Sequence, residues 1–441
     1  MDIKELKEIL RLSGVVGAGG AGFPTYGKCT EGAEVILLNC AECEPLLQLH
    51  QQLLARHAQE ILEMFALLCD TLGAKEAVIG IKKSYQDTIK ALSPYLGLYP
   101  KVRLHLLEEV YPMGDEIVLI YEATGRVVPP GALPISQGVA VFNVETVYNA
   151  YQAVKKASPV TEKYVSVVAE VEKPVTVKVP IGMALSEVVA LAGKVTDKKA
   201  VYFVGGPMMG RIGNGEEPVT KTTNAVLLLP EDHPIVMKKN RTSSIDLKRA
   251  ASICCQCNTC TDLCPRHNLG HPIDPARFMR AASNADFRDL NPYLNAAFCS
   301  SCGVCEMFSC PQSLAPRTLL ADMKLGLRKA GLKPPQNPTL SPVGKEREYR
   351  KVPEGRLMAR LGLSKYDRPA PLIEQVADTR TVTILLSQHI GAPAHPVVSV
   401  GDMVKKGDLI AAPAAGLSVG IHASIDGRVI SVTDRHVVLS K

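Results

Sequence analysis

The chain contains 441 residues, of which 46% are hydrophobic and 21% charged, and its net charge is +6. This composition is typical of a globular protein with several domains, about three or four at this length. Tryptophan is absent and aromatic residues make up only 5%, which argues against stacking platforms for single-stranded nucleic acid. No apolar stretch reaches the roughly 18 residues that a membrane-spanning helix needs. We therefore expect neither a nucleic-acid partner nor membrane insertion.

Residues 1–155 alternate helical and strand-like segments. The first ten residues have apolar positions spaced for an amphipathic helix, which is expected to pack on the first domain, with an encapsulation signal as the alternative. The alternation that follows predicts an α/β domain with a parallel sheet and helical crossovers. The predicted strands are 35–39, 77–81, 102–107 and 139–142, and the predicted helices are 46–72 and 84–92.

Four further segments complete the predicted organisation. Residues 160–235 read as a ββαβ module, residues 245–330 carry two cysteine runs with helical flanks, and residues 331–375 are rich in proline and charge, which is typical of an extended linker. Residues 376–441 contain short strands broken by Gly-Asp and Asp-Gly turns. This last module resembles a barrel-sandwich hybrid of the biotinyl or lipoyl type. It has no evident modifiable lysine at the expected hairpin, so we predict a structural or docking role.

Nine of the 13 cysteines lie in two short runs, each ending in Cys-Pro. A [4Fe-4S] cluster needs four thiolates, three of which can come from one looped turn with two residues between successive cysteines. In two-cluster ferredoxins the fourth cysteine of each run binds the other cluster. We therefore predict two [4Fe-4S] clusters, one held by Cys254, Cys257, Cys260 and Cys310 and the other by Cys299, Cys302, Cys305 and Cys264.

Other interpretations of the cysteines fit less well. Zinc sites use CxxC pairs, but two quartets each followed by proline are not a zinc-ribbon pattern, and disulfide frameworks belong to short secreted chains. Thiolate-bound clusters fit a reducing cytoplasm. The second run has four residues before its last cysteine where the first has three, which suggests two inequivalent clusters, one facing the electron donor and the other the acceptor. Cys255 is interpreted as a spare thiol, although a register shift onto it stays open.

Polar segments follow the predicted strands of the first domain, where ligands collect in open α/β sheets. A loop with Gly17, Gly19, Gly20 and Gly22, followed by Phe23 and Lys28, precedes the first strand, and its backbone can approach a phosphate closely. The remaining candidates are Asn39, Glu42 and Glu44 after the first strand, Asp115 and Glu116 after the third, and Asn143 and Thr146 after the fourth. Cys40 and Cys43, interleaved with the first acidic turn, are interpreted as pocket or packing residues.

The four strings GAGGAGFPTxxK, NxxExEP, GDE and NVET together resemble the flavin-binding domain of the NADH-oxidising subunit of respiratory complex I. They resemble the RnfC relatives of that subunit even more closely. The ββαβ module is similar to the SLBB (β-grasp-like) domain of those relatives. RnfC carries its barrel-sandwich module before the flavin domain, whereas here it comes last. That order resembles the cobalamin reductases of the propanediol-utilisation microcompartment.

The resemblance implies roles for the candidate residues. The glycine loop and Lys28 would hold the phosphate side and ring edge of FMN, and Asn39, Glu42, Asn143 and Thr146 would complete the flavin pocket. Glu44, Asp115 and Glu116 would lie near the ribose or amide of NADH, and Phe23 would stack on the nucleotide. The acidic residues would repel the 2′-phosphate of NADPH.

The same resemblance implies an enzyme that passes electrons from NADH through FMN and two [4Fe-4S] clusters to a corrinoid, from cob(III)alamin to cob(II)alamin to cob(I)alamin. It would reactivate B12 for a diol dehydratase inside a bacterial microcompartment, with an adenosyltransferase, the dehydratase or shell proteins as partners. Two alternatives are an RnfC-like NADH-oxidising subunit with a non-corrinoid acceptor, and a non-enzymatic adaptor with a decayed flavin site. The intact glycine loop argues against the adaptor.

Overall fold

A four-stranded parallel sheet organises the first part of the computed structural model, which describes residues 1–441. Its strand order is β3-β2-β1-β5, and every pairing is parallel. The central strands are buried on both faces, as their continuous Val, Ile and Leu runs require. The predicted α/β fold class is confirmed. Its elements are α1 (Ile3–Leu12), β1 (Val35–Cys40), α2 (Leu49–Arg56), α3 (Ala58–Thr71), β2 (Glu76–Lys82), α4 (Gln86–Leu96), β3 (Val102–Leu107), β4 (Val110–Tyr111), α5 (Glu116–Thr124), β5 (Val139–Asn143) and α6 (Val144–Lys156).

The helix predicted over 46–72 is two helices that meet at His57. His57 has non-helical backbone angles, φ −115° and ψ 37°. Its imidazole Nε2 lies 2.5 Å from the carboxylate of Glu374, and its ring lies 4.4 Å from that of Tyr148. These partners come from distant parts of the chain, so tertiary contacts fix a break that local propensity does not indicate.

The N-terminal helix α1 is built into the core. Asp2 caps it by accepting hydrogen bonds from the backbone N–H groups of Lys4 and Glu5, both at 2.8 Å. Leu6 and Leu10 are fully buried. This agrees with the packing role that the sequence favoured for α1.

A six-stranded mixed sheet follows, in the order β12-β7-β6-β10-β8-β9, in which β12 is Leu372–Val376. The predicted ββαβ module forms its centre, and its edge strand β12 comes from a much later part of the chain, pairing parallel to β7. The elements are β6 (Glu162–Ala169), β7 (Val175–Pro180), α7 (Leu185–Ala190), β8 (Ala200–Val204), β9 (Arg211–Ile212) and β10 (Ala225–Pro230).

The cysteine-bearing region is helical, as predicted. A π-helical turn, Cys305–Ser309, lies directly before Cys310. Since a π turn takes up one residue more than an α turn, it absorbs the extra residue in the second run. The helices are α8 (Pro234–Lys239), α9 (Ser243–Ile253), α10 (Thr259–Asp262), α11 (Pro265–Asn268), α12 (Pro275–Ser283), α13 (Asn291–Leu294) and α14 (Pro316–Lys329).

The segment 331–375, predicted as an extended linker, has regular structure in its second half. β11 (Val352–Pro353) pairs antiparallel with β4, α15 (Glu354–Arg360) follows it, and β12 (Leu372–Val376) joins the mixed sheet. Leu357 and Leu363 are fully buried. The proline and charge content of this segment therefore does not indicate its two short strands and its helix, because the strands form by pairing with strands elsewhere in the chain.

The C-terminal module consists of two small antiparallel sheets, β13-β19-β18-β15 and β14-β16-β17. Its apolar residues belong to the same hydrophobic core as the helices of the first domain. No helix of the structure is both long and apolar enough to span a membrane. The strands are β13 (Thr381–Leu385), β14 (His395–Pro396), β15 (Met403–Val404), β16 (Leu409–Ala412), β17 (Ile421–His422), β18 (Gly427–Val432) and β19 (His436–Ser440).

Candidate functional site

A large open cavity of about 470 Å³ lies at the carboxyl ends of β1 and β5, where ligands bind in open α/β sheets. This volume lies within the roughly 300–1,000 Å³ of ordinary small-molecule pockets, which suits a flavin nucleotide. We call it the glycine-loop cavity. Of the residues predicted from sequence, it is lined by Gly17, Gly19, Gly20, Phe23, Lys28, Asn39, Glu42, Glu44, Asp115, Glu116, Asn143 and Thr146.

Gly22 is the predicted site residue that does not line the cavity. A Cβ at Gly22 would lie 2.8 Å from Thr222 Cγ2 and 3.2 Å from the carbonyl oxygen of Gln388. Its φ of +69° also favours glycine. Gly22 therefore lets the loop pack against the mixed sheet and the C-terminal module, and does not itself face a ligand.

The glycine loop presents free hydrogen-bond donors. The N–H of Ala18 donates to Thr146 Oγ1 at 2.9 Å, which fixes the loop on the first turn of α6. The backbone N–H groups of Gly19, Gly20 and Ala21 have no acceptor within the chain. Together with the amino-terminal end of α6 they form a cradle suited to a phosphate. This observation fits the phosphate of a flavin nucleotide.

The carboxylates of Glu116 and Glu42 already have partners. Lys28 Nζ lies 2.9 Å from Glu116 Oε1 and donates to the carbonyl oxygen of Val141 at 2.8 Å. The backbone N–H of His50 donates to Glu42 Oε2 at 2.9 Å. Both acids therefore shape the pocket by holding its walls.

Glu44 joins the flavin domain to the mixed sheet. Its carboxylate accepts hydrogen bonds from the backbone N–H groups of Met208 and Met209, at 2.8 and 3.0 Å. Burial raises the pKa of Glu44 to about 7, and the two N–H bonds oppose that shift. A Cβ on Gly206 would overlap this carboxylate. The expected role of Glu44, next to the nicotinamide nucleotide, thus differs from its place here as an anchor for the loop after β8.

Asp115 ties the cavity wall to the first cysteine run. Its Oδ1 accepts from the N–H groups of Ile117 and Val118, which caps α5. Its two oxygens also accept from Arg266 Nη2, both at 2.9 Å. The side chains of Arg266 and Asp115 are only 16% and 10% exposed. Asp115 therefore positions the segment after Cys264, and its carboxylate is not free for a ribose.

Asn224 is a cavity residue that the sequence interpretation missed. It lies before β10 and lines the cavity. Its Nδ2 is 3.3 Å from the position of a Cβ on Gly19, and its buried Oδ1 has no hydrogen-bond partner. The preceding Lys221 is buried and donates to the carbonyl oxygens of Gly14 and Gly420, at 2.7 and 3.0 Å. A polar Lys-Thr-Thr-Asn turn before an apolar strand was the available signal.

The thiols of the two cysteine runs gather into two separate cavities. We call the group that contains Cys299, Cys302 and Cys305 the inner thiol set, and the group that contains Cys254, Cys257 and Cys260 the outer thiol set. No three His, Cys, Asp or Glu side chains converge closely enough to hold a single metal ion, whereas thiols spaced around a cavity suit a four-iron cluster. The inner set is Cys264, Cys299, Cys302 and Cys305, and the outer set is Cys254, Cys257, Cys260 and Cys310.

This grouping matches the predicted exchange of the fourth cysteine between runs. Cys264 of the first run lies with the second run, and Cys310 of the second lies with the first. Burial raises the pKa values of the Cys302 and Cys260 thiols to about 12. Since iron binds thiolates, loading the clusters would release protons. The exposed Cys255 lies at the rim of the outer cavity.

The inner thiol set adjoins the glycine-loop cavity. Cys302 and Ser300 line both that cavity and the inner thiol cavity. The hydroxyl of Tyr111, a further residue not predicted, donates to the carbonyl oxygen of Cys302 at 2.6 Å. The outer set lies toward solvent, where Cys255 and Cys257 are exposed. The two thiol sets thus differ in position, one beside the glycine-loop cavity and the other near the surface.

Four family models match successive parts of the chain. They are the Nuo51 FMN-binding domain over 10–152, the SLBB domain over 164–212, the 4Fe-4S dicluster domain over 253–315 and the RnfC barrel sandwich hybrid domain over 364–441. All four match modules that the sequence predicted. The protein is therefore a flavin and iron–sulfur oxidoreductase with FMN and [4Fe-4S] clusters.

Full-length relatives decide the family. Cobalamin reductase PduS of Salmonella typhimurium is 42% identical, with 99% of this chain and 96% of that protein aligned, and the Citrobacter freundii protein of the same name is 41% identical over 99% and 97%. This chain belongs to the PduS cobalamin reductase family. A component of the Na(+)-translocating ferredoxin:NAD(+) oxidoreductase complex of Acetobacterium woodii is more distant, 30% identical over 60% of this chain and 59% of that protein.

A solved structure shares the fold. An NAD+-reducing [NiFe]-hydrogenase in the H2-reduced state superposes with a TM-score of 0.50 at 21% identity. The match covers 76% of this chain, which spans 64% of that chain. At this identity the likeness supports the architecture alone.

Proposed function

We propose that this protein is an NADH-dependent cobalamin reductase. One NADH would supply two electrons, either to two molecules of cob(III)alamin, giving two cob(II)alamin, NAD+ and a proton, or to one molecule in two successive steps, ending at cob(I)alamin. The observation that carries the proposal is that the glycine-loop cavity and the inner thiol cavity share Cys302 and Ser300. When bound, FMN accepts a hydride and the clusters carry single electrons.

The residues of the chain would bind and orient these groups. The free N–H groups of Gly19, Gly20 and Ala21 suit the FMN phosphate. Asn39 donates from Nδ2 to the carbonyl oxygen of Gly114 at 2.9 Å and fixes the opposite wall. Asn224 offers its unpartnered Oδ1 to the flavin. These contacts would hold the ring beside the inner thiol set.

Electrons would leave in a fixed direction. Cys305 of the inner set is buried and Cys302 is half-buried, whereas Cys257 of the outer set is exposed. We therefore assign the inner set to the flavin side and the outer set to the acceptor side. Because the inner set is less exposed to solvent, a cluster held there would lose fewer electrons to other oxidants.

Anaerobically reconstituted protein tests the proposal. NADH, FMN and hydroxocobalamin are mixed with it, and the corrinoid spectrum is followed. Formation of two cob(II)alamin per NADH is expected. Rapid ferricyanide reduction without any cobalamin reduction would favour the RnfC-like alternative with another acceptor. Failure to bind FMN would contradict both.

The cellular setting stays a prediction from the resemblance. Location in a bacterial microcompartment, and contacts with an adenosyltransferase, a diol dehydratase or shell proteins, would follow from a role in B12 reactivation. Co-purification with intact microcompartments tests the location.

A further inference from the structure

A broad surface concavity adjoins the outer thiol set. It has a volume of about 1190 Å³ and lies between the loop that carries Gln256 and the segment 277–292. Gln256 lines both this concavity and the outer thiol cavity. A molecule in the concavity would therefore contact the loop between Cys254 and Cys257. We call it the exit concavity, and its size exceeds the roughly 300–1,000 Å³ of pockets for ordinary small molecules.

One wall of the exit concavity carries a flat aromatic ring. Phe287 is 66% exposed. Its rear face stacks on Tyr293, with ring centroids 5.5 Å apart and 26° between the planes. The Tyr293 hydroxyl donates to the carbonyl oxygen of Asp286 at 2.9 Å, which fixes this support. The free face of Phe287 can pack against a planar macrocycle.

The charges of the wall leave one cation without a partner. Arg277 pairs with Asp289 at 2.5 Å, and Arg288 pairs with Asp286 at 2.8 Å. Arg280, between them on α12, pairs with no carboxylate of the chain and is only partly exposed. An unpaired guanidinium suits a phosphate, which it can bind through two N–H groups.

Amide groups complete the lining. Gln256 is exposed at the cluster end, and Asn284 donates from Nδ2 to the carbonyl oxygen of Arg280 at 2.8 Å. The remaining amide atoms of these two side chains can both donate and accept hydrogen bonds. A ligand with carboxamide groups around a flat ring and one anionic phosphate would match this surface.

We propose that the exit concavity binds the corrinoid substrate, an inference that rests on the proposed function. The corrin face packs on Phe287, its peripheral carboxamides meet Gln256 and Asn284, and the phosphate of its nucleotide loop pairs with Arg280. A corrinoid held there would lie beside the loop that carries the outer thiols, which would hold the cluster that supplies one electron for each reduction of cob(III) to cob(II). Each NADH therefore serves two such events.

Two variants and two corrinoids test the site. Cobinamide lacks the nucleotide phosphate, so Arg280→Gln should raise the KM for cobalamin about tenfold, equivalent to about 1.4 kcal/mol, and leave the KM for cobinamide unchanged. Phe287→Ala should raise the KM for both corrinoids. Arg435→Gln, on an exposed turn of the C-terminal module, is the matched control. NADH:ferricyanide activity and iron content verify that each variant is intact.

The outcomes separate the two proposals. If wild-type protein reduces cobalamin but Arg280→Gln and Phe287→Ala leave both KM values unchanged, the exit concavity is not the corrinoid site. If Arg280→Gln raises the KM values for both corrinoids equally, the assignment of Arg280 to the phosphate is wrong. If wild-type protein reduces no corrinoid, the proposed function itself fails and this site with it.

Discussion

Replacing Asp115 by alanine should destabilise the protein far more than breaking a surface ion pair. The Asp115 carboxylate accepts two hydrogen bonds from Arg266 Nη2 at 2.9 Å and also caps α5. Its loss leaves a guanidinium without a partner in a largely buried position, because the Arg266 side chain is only 16% exposed. An unpaired buried charge costs about 3 kcal/mol at the low end of the usual range, and a lost N-cap costs about 1 kcal/mol. We expect about 4 kcal/mol in total.

Replacing Arg266 while keeping Asp115 should lower the free energy of unfolding by less. In Arg266→Met the Asp115 carboxylate keeps the N–H groups of Ile117 and Val118, at 3.0 and 3.2 Å. Because a partly satisfied carboxylate is less costly to bury, we expect about 2 kcal/mol. The double variant removes both charges and should also cost about 2 kcal/mol, so the single effects are not additive.

Anaerobic urea titration of the cluster-loaded protein, followed by far-UV circular dichroism, measures these free energies of unfolding. Arg103→Met is the control, because Arg103 pairs with Glu76 at 2.8 Å with side chains 47% and 37% exposed; it should change the free energy by less than about 1 kcal/mol. An effect of Asp115→Ala no larger than that of the control would refute the reasoning. Additive single effects in the double variant would refute it as well.

Four other predictions concern the thiol sets, Glu44, Gly206 and Asn224. Cys264→Ser should damage the inner cluster and spare the outer one, and electron paramagnetic resonance showing loss of the outer cluster would contradict the exchange of ligands. The pKa of Glu44 is raised to about 7 from its usual 4.5. The free energy of unfolding should therefore fall by about 3 kcal/mol as the pH rises from 4.5 to 7. In unfolding measurements at several pH values, Glu44→Gln should abolish that fall. Gly206→Ala, whose Cβ overlaps the Glu44 carboxylate, should lower stability by about 1–3 kcal/mol, whereas Gly355→Ala, with open space around its Cβ, should not. Asn224→Ala should weaken FMN binding about tenfold in a fluorescence titration without changing cluster content, and unchanged affinity would remove Asn224 from the flavin site.

Much of the candidate site was accessible from the sequence because its residues lie in short local motifs. The glycine loop, the Asn39 turn and the Asn143 cap each follow from one stretch of chain, and the parallel sheet brings them to one edge. The cysteine spacing predicted the two thiol sets for the same reason. Residues such as Tyr111 and Asn224 lie outside these motifs, and only their positions in space place them at the cavity.

The partners of the acidic residues could not be predicted locally. The carboxylates of Glu44 and Asp115 look like nucleotide ligands in the sequence, yet their hydrogen-bond partners are the backbone at Met208 and the guanidinium of Arg266, about 160 and 150 residues away. Such pairs depend on domain packing, which no motif contains.

The module order, the grouping of the cysteines and the glycine loop could be predicted from the sequence, because each depends on spacing within one segment. Tertiary structure decided which thiol set adjoins the glycine-loop cavity. Cys302 lines the glycine-loop cavity, whereas Cys257 is exposed beside the exit concavity. The two cysteine runs are nearly equivalent as strings, so only the docking of the helical region against the cavity, through Asp115 and Tyr111, distinguishes the thiol set beside the cavity from the set near the surface.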